Sequence, residues 1–313
     1  MGPRAGLRIL ILGAGVIGSV YAGRLAEAGH AVTLCARGER LAELRERGLI
    51  LEDAYTRRRT RLEVAVTATP NPSMPCDVVL VAVRRDQMTS SLPLLADMDA
   101  DVVFFGNAAG LTAKLTAAVA PRALFGFPAA GGVRTGAAVR FVLIRQQKTM
   151  LADSDHRRSR RVTDLAKTLA AAGFPVRIST DAEAWLTAHA AFIIPIAFAL
   201  YRVDVDPRRL AANDALLQTM VRATREAFRA LQATGNTEIP GNLRALYLLM
   251  PEPFAVRYWR NTLRGPSGEL WFAGHTRAAS EEMASLAAVL QAAIEQSRRR
   301  APALDVLLAP DGT

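Results

Sequence analysis

The stretch Leu7 to Gly29, LRILILGAGVIGSVYAGRLAEAG, constrains this chain more than any other. It opens with an apolar run from Leu7 to Leu12, interrupted only by Arg8 and suited to a strand buried on both faces. Gly13, Gly15 and Gly18 then fall in G-x-G-x-x-G spacing, and an Ala- and Leu-rich helical segment follows from Ser19 to Ala28. Each glycine has its own physical task. Gly13 makes a tight turn, Gly15 lets backbone approach a pyrophosphate, and Gly18 lets helix and strand pack closely. The helix N-terminus behind them offers N–H groups and partial positive charge to phosphate. Strand, glycine turn and helix in this order predict a dinucleotide site on Gly13, Ala14, Gly15, Val16, Ile17 and Gly18. A glycine-rich turn without a ligand is the competing reading.

The next strand, Ala31 to Cys35, bears on which dinucleotide. Roughly 20 residues past the glycines, NAD-binding chains place a carboxylate for the ribose 2′-hydroxyl. Here Ala36 and Arg37 stand instead. A guanidinium pairs with a 2′-phosphate where a carboxylate repels it, so Arg37, helped by Arg40, argues for NADP(H). A solvated arginine in an arginine-rich chain is the plainer alternative.

Further apolar runs continue a parallel sheet: Asp77 to Val83, Asp101 to Phe105, Leu124 to Phe127 and Val176 to Ile178. Arg84 and Asn107 follow two of these runs, at the strand ends where open α/β sheets bind ligands. Leu49 to Thr69 reads as strand-like. Val139 to Ile144 and Thr149 to Ala152 read as an appended hairpin, and the apolar turn Phe125 to Val133 as the lining of a greasy pocket. From Thr180 strand signals vanish and long helical patterns run to about Arg300, the last breaking near His275. The expected fold is therefore α/β, a Rossmann-type parallel sheet domain over 1–179 followed by an all-helical domain over 180–313. The helical part is expected to supply the substrate side and a possible homodimer contact, with the tail from Ala301 loosely held.

Composition excludes several classes. At 313 residues with half of them hydrophobic, the chain folds around a sizeable core. The net charge of +10 rests on arginines, since Lys114, Lys148 and Lys167 are the only lysines. Runs such as Arg57-Arg58-Arg59 lack interleaved aromatics and any nucleic-acid motif, so solvated surface is expected and no nucleic-acid partner. Cys35 and Cys76 form neither a disulfide framework nor a metal spacing, which fits a reducing cytoplasm and no metal. The apolar run Ala188 to Tyr201 contains His189 and Pro195 and is short for a bilayer, so no membrane partner is expected.

The order GAGVIG, Arg37, a strand followed by Arg84, Asn107 in a GNAAG turn, then Ala182-Glu183-Ala184-Trp185 opening a helical region, resembles ketopantoate reductase. The resemblance implies an NADPH-dependent reduction of a 2-oxo acid, with Arg84 and Asn107 near the nicotinamide. It also implies a catalytic lysine two residues after the tryptophan and asparagines one and two turns later. This chain departs there, with Thr187 at the lysine position and Ala191 and Pro195 at the asparagine positions. A substrate-contacting glutamate of the family would correspond to Glu269.

Hydride transfer to a carbonyl leaves an alkoxide that needs a proton, and histidine ordinarily titrates near neutrality. His189 and His275 are the candidates in the helical region, beside Asn107, Thr187 and Glu269. His189 is preferred, two residues from the vacated lysine position, although a core place between Trp185 and Phe192 is equally natural. Three functions stay open. One is an NADPH-dependent reductase of a carbonyl or imine on a small, rather apolar molecule. Another is a repurposed enzyme, such as a cyclase or isomerase. The third is a non-enzymatic NADP(H)-binding protein.

Overall fold

The computed structural model describes residues 6–309 and divides the chain into two compact units, Met1–Ala182 and Glu183–Thr313. The first unit carries two sheets. Twelve strands supply them: β1 (Arg8–Leu12), β2 (Ala31–Cys35), β3 (Leu49–Asp53), β4 (Arg59–Leu62), β5 (Ala65–Thr67), β6 (Val78–Val81), β7 (Asp101–Phe105), β8 (Ala123–Phe127), β9 (Ala130–Thr135), β10 (Ala138–Leu143), β11 (Thr149–Asp153) and β12 (Val176–Ser179). Among the described residues five α-helices accompany them: α1 (Val16–Glu27), α2 (Gly38–Arg47), α3 (Arg85–Ser90), α4 (Thr112–Val119) and α5 (Arg160–Ala171).

The main sheet runs β12-β11-β8-β7-β6-β1-β2-β5, parallel throughout except where β11 meets β8. Residues 9–12 of β1 are buried on both faces, as their uninterrupted apolar sequence demands. Strand order reverses around β1, which places its C-terminal end at the switch point where such sheets bind ligands.

A second sheet, β4-β3-β10-β9, packs on α1. Gly23 of α1 makes that approach close, since a Cβ there would press into the side chains of Leu51 and Leu62. This sheet corrects two sequence expectations. The proposed hairpin of 139–144 with 149–152 does not form. Ala138–Leu143 pairs with Ala130–Thr135 and with β3, while Thr149–Asp153 joins the main sheet beside β8. The stretch read as a greasy turn builds β8 and β9 instead, and Phe125 lies in the core with its ring 5.9 Å from that of Phe104.

The second unit is helical: α6 (Ala182–Tyr201, begun at the last residue of the first unit), α7 (Pro207–Ala212), α8 (Asp214–Ala233), α9 (Gly241–Arg244), α10 (Glu252–Arg264), α11 (Gly274–Ala278), α12 (Ser280–Gln296) and α13 (Pro302–Leu308). Helix α6 is apolar and long enough to cross a bilayer, but 83% of its apolar window is buried inside the protein, the signature of a core helix. The helix expected to break near His275 does so at Ala279. The tail read as loosely held contains α13, with Pro302 in its first turn and Leu304 and Leu307 buried. Glu226 of α8 accepts from the Ala303 N–H, and Arg202 donates to the carbonyls of Val306, Leu307 and Ala309. Both ends of α13 are thus satisfied.

Candidate active site

The glycine turn is built as its spacing requires. Gly13 has φ of +110°, a conformation L side chains rarely adopt. A Cβ on Gly18 would overlap the carbonyl oxygen of Gly13, so the start of α1 can fold back onto the turn only with glycine there. Gly15 is different. It is exposed, its φ of −71° suits any residue, and a Cβ on it would meet nothing within 4 Å. Neither strain nor packing inside the protein requires glycine at 15. What a methyl there would obstruct is the space in front of the α1 N-terminus.

That space is a cavity of about 380 Å³ within the first unit. One side is Leu12 to Gly15 with Cys35, Ala36 and Arg37 at the end of β2. The other is Val83 with Gln87, Ser90, Ser91 and Leu94 beyond β6. Arg40 and Arg134 complete it. Among the described residues no carboxylate lines the cavity, while three guanidinium groups do, so its potential favours a polyanion. An open glycine cradle at a helix N-terminus and an acid-free, arginine-rich wall fit the phosphates of a dinucleotide. Burial pushes the Cys35 thiol above its usual range, against the opposing pull of Arg37, so this cysteine stays protonated beside the site.

Of the residues expected to hold cofactor, Gly13, Ala14, Gly15 and Arg37 line the cavity; Val16, Ile17 and Gly18 form the first turn of α1 behind it. Arg84 and Asn107 lie at the C-terminal ends of β6 and β7 but do not line it. Arg84 is exposed and 3.7 Å from Asp86. Asn107 is buried, and its carbonyl accepts from Arg85 Nη1 at 3.0 Å, as does that of Ala109 at 2.5 Å. Buried Arg85 therefore fixes the turn after β7, a task its sequence position beside Arg84 does not reveal.

Arg40 also differs from expectation. Its side chain is 8% exposed, and its guanidinium is committed to protein. Nε donates to the Ala14 carbonyl at 3.3 Å, Nη2 to Ser19 Oγ at 3.3 Å, and Nη1 to the Ala137 carbonyl at 3.1 Å and Glu43 at 3.2 Å. It ties glycine turn, α1 and the β9–β10 turn together, and so shapes the pocket that Arg37 faces.

In the helical unit, Thr187 donates its hydroxyl to Glu183 Oε1 at 3.1 Å, one turn earlier on α6. Glu269 is half exposed and paired with Arg277 through contacts of 2.8 and 3.3 Å. His189 is buried, stacked on Trp185 with ring centroids 5.5 Å apart and edge-on to Phe192. Burial, reinforced by nearby His275 and only partly offset by Glu282, pushes its pKa down to about 3. His189 is therefore neutral near pH 7. The unfolded chain protonates this histidine near pH 6.5 but the folded chain does not until about 3, so stability falls as pH drops through that window. A shift of this size is worth on the order of a few kcal/mol. His189→Phe, close in shape and unable to titrate, is expected to flatten the loss of stability between pH 7 and pH 4. Denaturant melts across that range measure it, and an unchanged slope refutes the assignment.

His275 has the opposite setting. Its side chain is 45% exposed, with Nε2 3.4 Å from Glu282 Oε1, whose own side chain is 5% exposed. A buried carboxylate held in place orients this part-exposed imidazole.

Comparison with known proteins agrees with this geometry. The family model "Ketopantoate reductase PanE/ApbA" matches residues 9–155. The 2-dehydropantoate 2-reductase of Pyrococcus horikoshii is 27% identical over 237 residues, which cover 72% of this chain and 74% of that protein. Among solved structures, 2-dehydropantoate 2-reductase from Geobacter metallireducens superposes with a TM-score of 0.73 at 18% identity, covering 96% of this chain and 97% of that one. D-mandelate dehydrogenase in a ternary structure with NADH and anilino(oxo)acetate gives 0.71 at 14% identity, covering 96% and 95%. These likenesses show the fold, a Rossmann-type unit followed by a helical region, and a first unit similar to that of ketopantoate reductases.

Proposed function

We propose that this chain, a relative of the ketopantoate reductases, is an NADPH-dependent reductase acting on the carbonyl or imine group of a small molecule. The observation that carries the reading is the open Gly15 cradle beside a cavity lined by three arginines and, among the described residues, no carboxylate. NADPH supplies a hydride when bound; the chain supplies phosphate contacts, orientation and a proton. Arg37, at the end of β2, is proposed to pair with the 2′-phosphate. His275, oriented by Glu282, is the proposed proton donor, in place of His189, which is buried and uncharged at working pH. The expectation of an apolar substrate loses its support with Phe125 in the core, and the substrate class is left at its reactive group.

One observation favours a second reading. Thr187, at the position of the family's lysine, spends its hydroxyl on Glu183 and offers no cation. A chain relieved of that lysine suits a repurposed, non-redox reaction that retains the cofactor fold. NADPH consumption over a panel of carbonyls and imines, with product analysis, separates the two. Oxidation of NADPH matched by reduced product supports the reductase; product without NADPH oxidation supports the alternative.

Cofactor choice gives a separate test. The parent protein is expected to bind NADPH more tightly than NADH, and Arg37→Asp to reverse or abolish the preference, because a carboxylate repels phosphate and accepts a ribose hydroxyl. Fluorescence titration of both cofactors decides it. Equal affinities in the parent would remove the 2′-phosphate role from Arg37.

A further inference from the structure

We propose that Arg134, contributed by the small second sheet, is a pyrophosphate-binding residue of the dinucleotide site. The proposal rests on the dinucleotide reading above and adds a ligand from outside the Rossmann core. Arg134 stands near the end of β9, opposite Val139 in the antiparallel register with β10. Only Thr135, Gly136 and Ala137 separate it from β10, and the carbonyl of Ala137 is gripped by Arg40. The same guanidinium grips the carbonyl of Ala14, between Gly13 and Gly15. One buried side chain thus anchors the β9–β10 turn against the glycine turn, and Arg134 comes to line the cavity beside the α1 N-terminus.

Its charge is available there. Arg134 is exposed, and neither it nor Arg37 has an ion-pair partner among the described residues, whereas Arg40 in the same wall is paired with Glu43. The two available cations have different anchorage. Arg37 follows β2, the position that reads the ribose. Arg134 is tethered to the glycine turn, where the pyrophosphate lies when the helix N-terminus receives it. A flexible guanidinium from a neighbouring sheet can close over phosphates from the side the glycine turn leaves open, pairing bidentately with their oxygens.

The two phosphate groups of NADPH separate the roles. Arg134→Gln is expected to weaken NADPH, NADH and ADP-ribose by a similar factor of about ten- to a hundred-fold, the loss of one charged hydrogen-bonding group. Arg37→Gln is expected to weaken NADPH alone. Arg134→Lys, which keeps the charge, should retain most of the affinity. Melting curves confirm that each variant is folded, and calorimetric titration of the three ligands gives the comparison. Unchanged binding of all three by Arg134→Gln overturns the proposal. Loss confined to NADPH also overturns it and moves Arg134 to the 2′-phosphate. If the parent protein binds none of the three, the dinucleotide reading itself fails, and this inference falls with it.

Discussion

Gly15→Ala and Gly18→Ala, three residues apart in one turn of chain, are expected to fail in opposite ways. Alanine at 15 should leave a folded protein, at a cost of up to about 1 kcal/mol because alanine caps a helix less well than glycine. Its backbone angles are ordinary, and the added methyl meets no protein atom. That methyl instead stands where the backbone must approach a pyrophosphate. Two charged hydrogen bonds lost at about 1.5 kcal/mol or more each correspond to on the order of a hundred-fold weaker NADPH binding, or worse. Alanine at 18 presses on the Gly13 carbonyl and on Ile11. Backbone cannot yield as a side chain does, so destabilisation of roughly 3 kcal/mol or more is expected, with little folded protein left to titrate. Thermal melts beside NADPH titrations test both. A stable Gly15→Ala that binds NADPH as the parent does would remove the cradle from the cofactor site.

The second large effect concerns the proton. His275→Gln is expected to keep its melting temperature, since the side chain is half exposed, and to keep its NADPH affinity. Turnover should fall by about 10²- to 10⁴-fold, the usual cost of losing a positioned general acid. Glu282→Gln keeps the shape of the partner but removes its charge, and is expected to lower turnover less than His275→Gln does, without abolishing it. His189→Gln should behave as a packing substitution, lowering the melting temperature more than the rate. An His275→Gln enzyme with parental turnover would return the role to water or to Glu269.

Much of the first unit can be read from sequence because its signals are local. Leu7 to Leu12, the three glycines and the AVTLC strand each declare themselves within a few residues, and their order fixes a parallel pairing. The small sheet does not declare itself. Strand β9 contains Gly131 and Gly132, which read as a turn, and its partner β10 gains its other edge from β3, far away in sequence. Thr149–Asp153 resembles a hairpin partner by proximity alone, yet β8 claims it. The tail helix had a legible signal in Pro302 followed by Leu304 and Leu307. Arg40, Arg85 and Arg134 are a different case. Their tasks lie in backbone carbonyls or space supplied by distant segments, and in an arginine-rich chain nothing local separates them from solvated neighbours. Histidine choice needed burial itself, since His189 and His275 look alike until one is enclosed by aromatic rings.

The parallel pairing of β3 with β10 bears on how the protein is made. Ile50 must wait for Ala138, so the layer over α1 cannot close until the whole central region has left the ribosome. Until then Leu49 and Leu51, buried in the finished protein together with Val139 and Phe141, have no strand to complete their cover. Long-range pairings of this kind slow folding and leave nascent chains prone to aggregate. Truncations ending before Ala130 are therefore expected to be insoluble even though they hold the complete glycine motif. Any shortened or split version of the protein should keep residues 49–143 on one polypeptide.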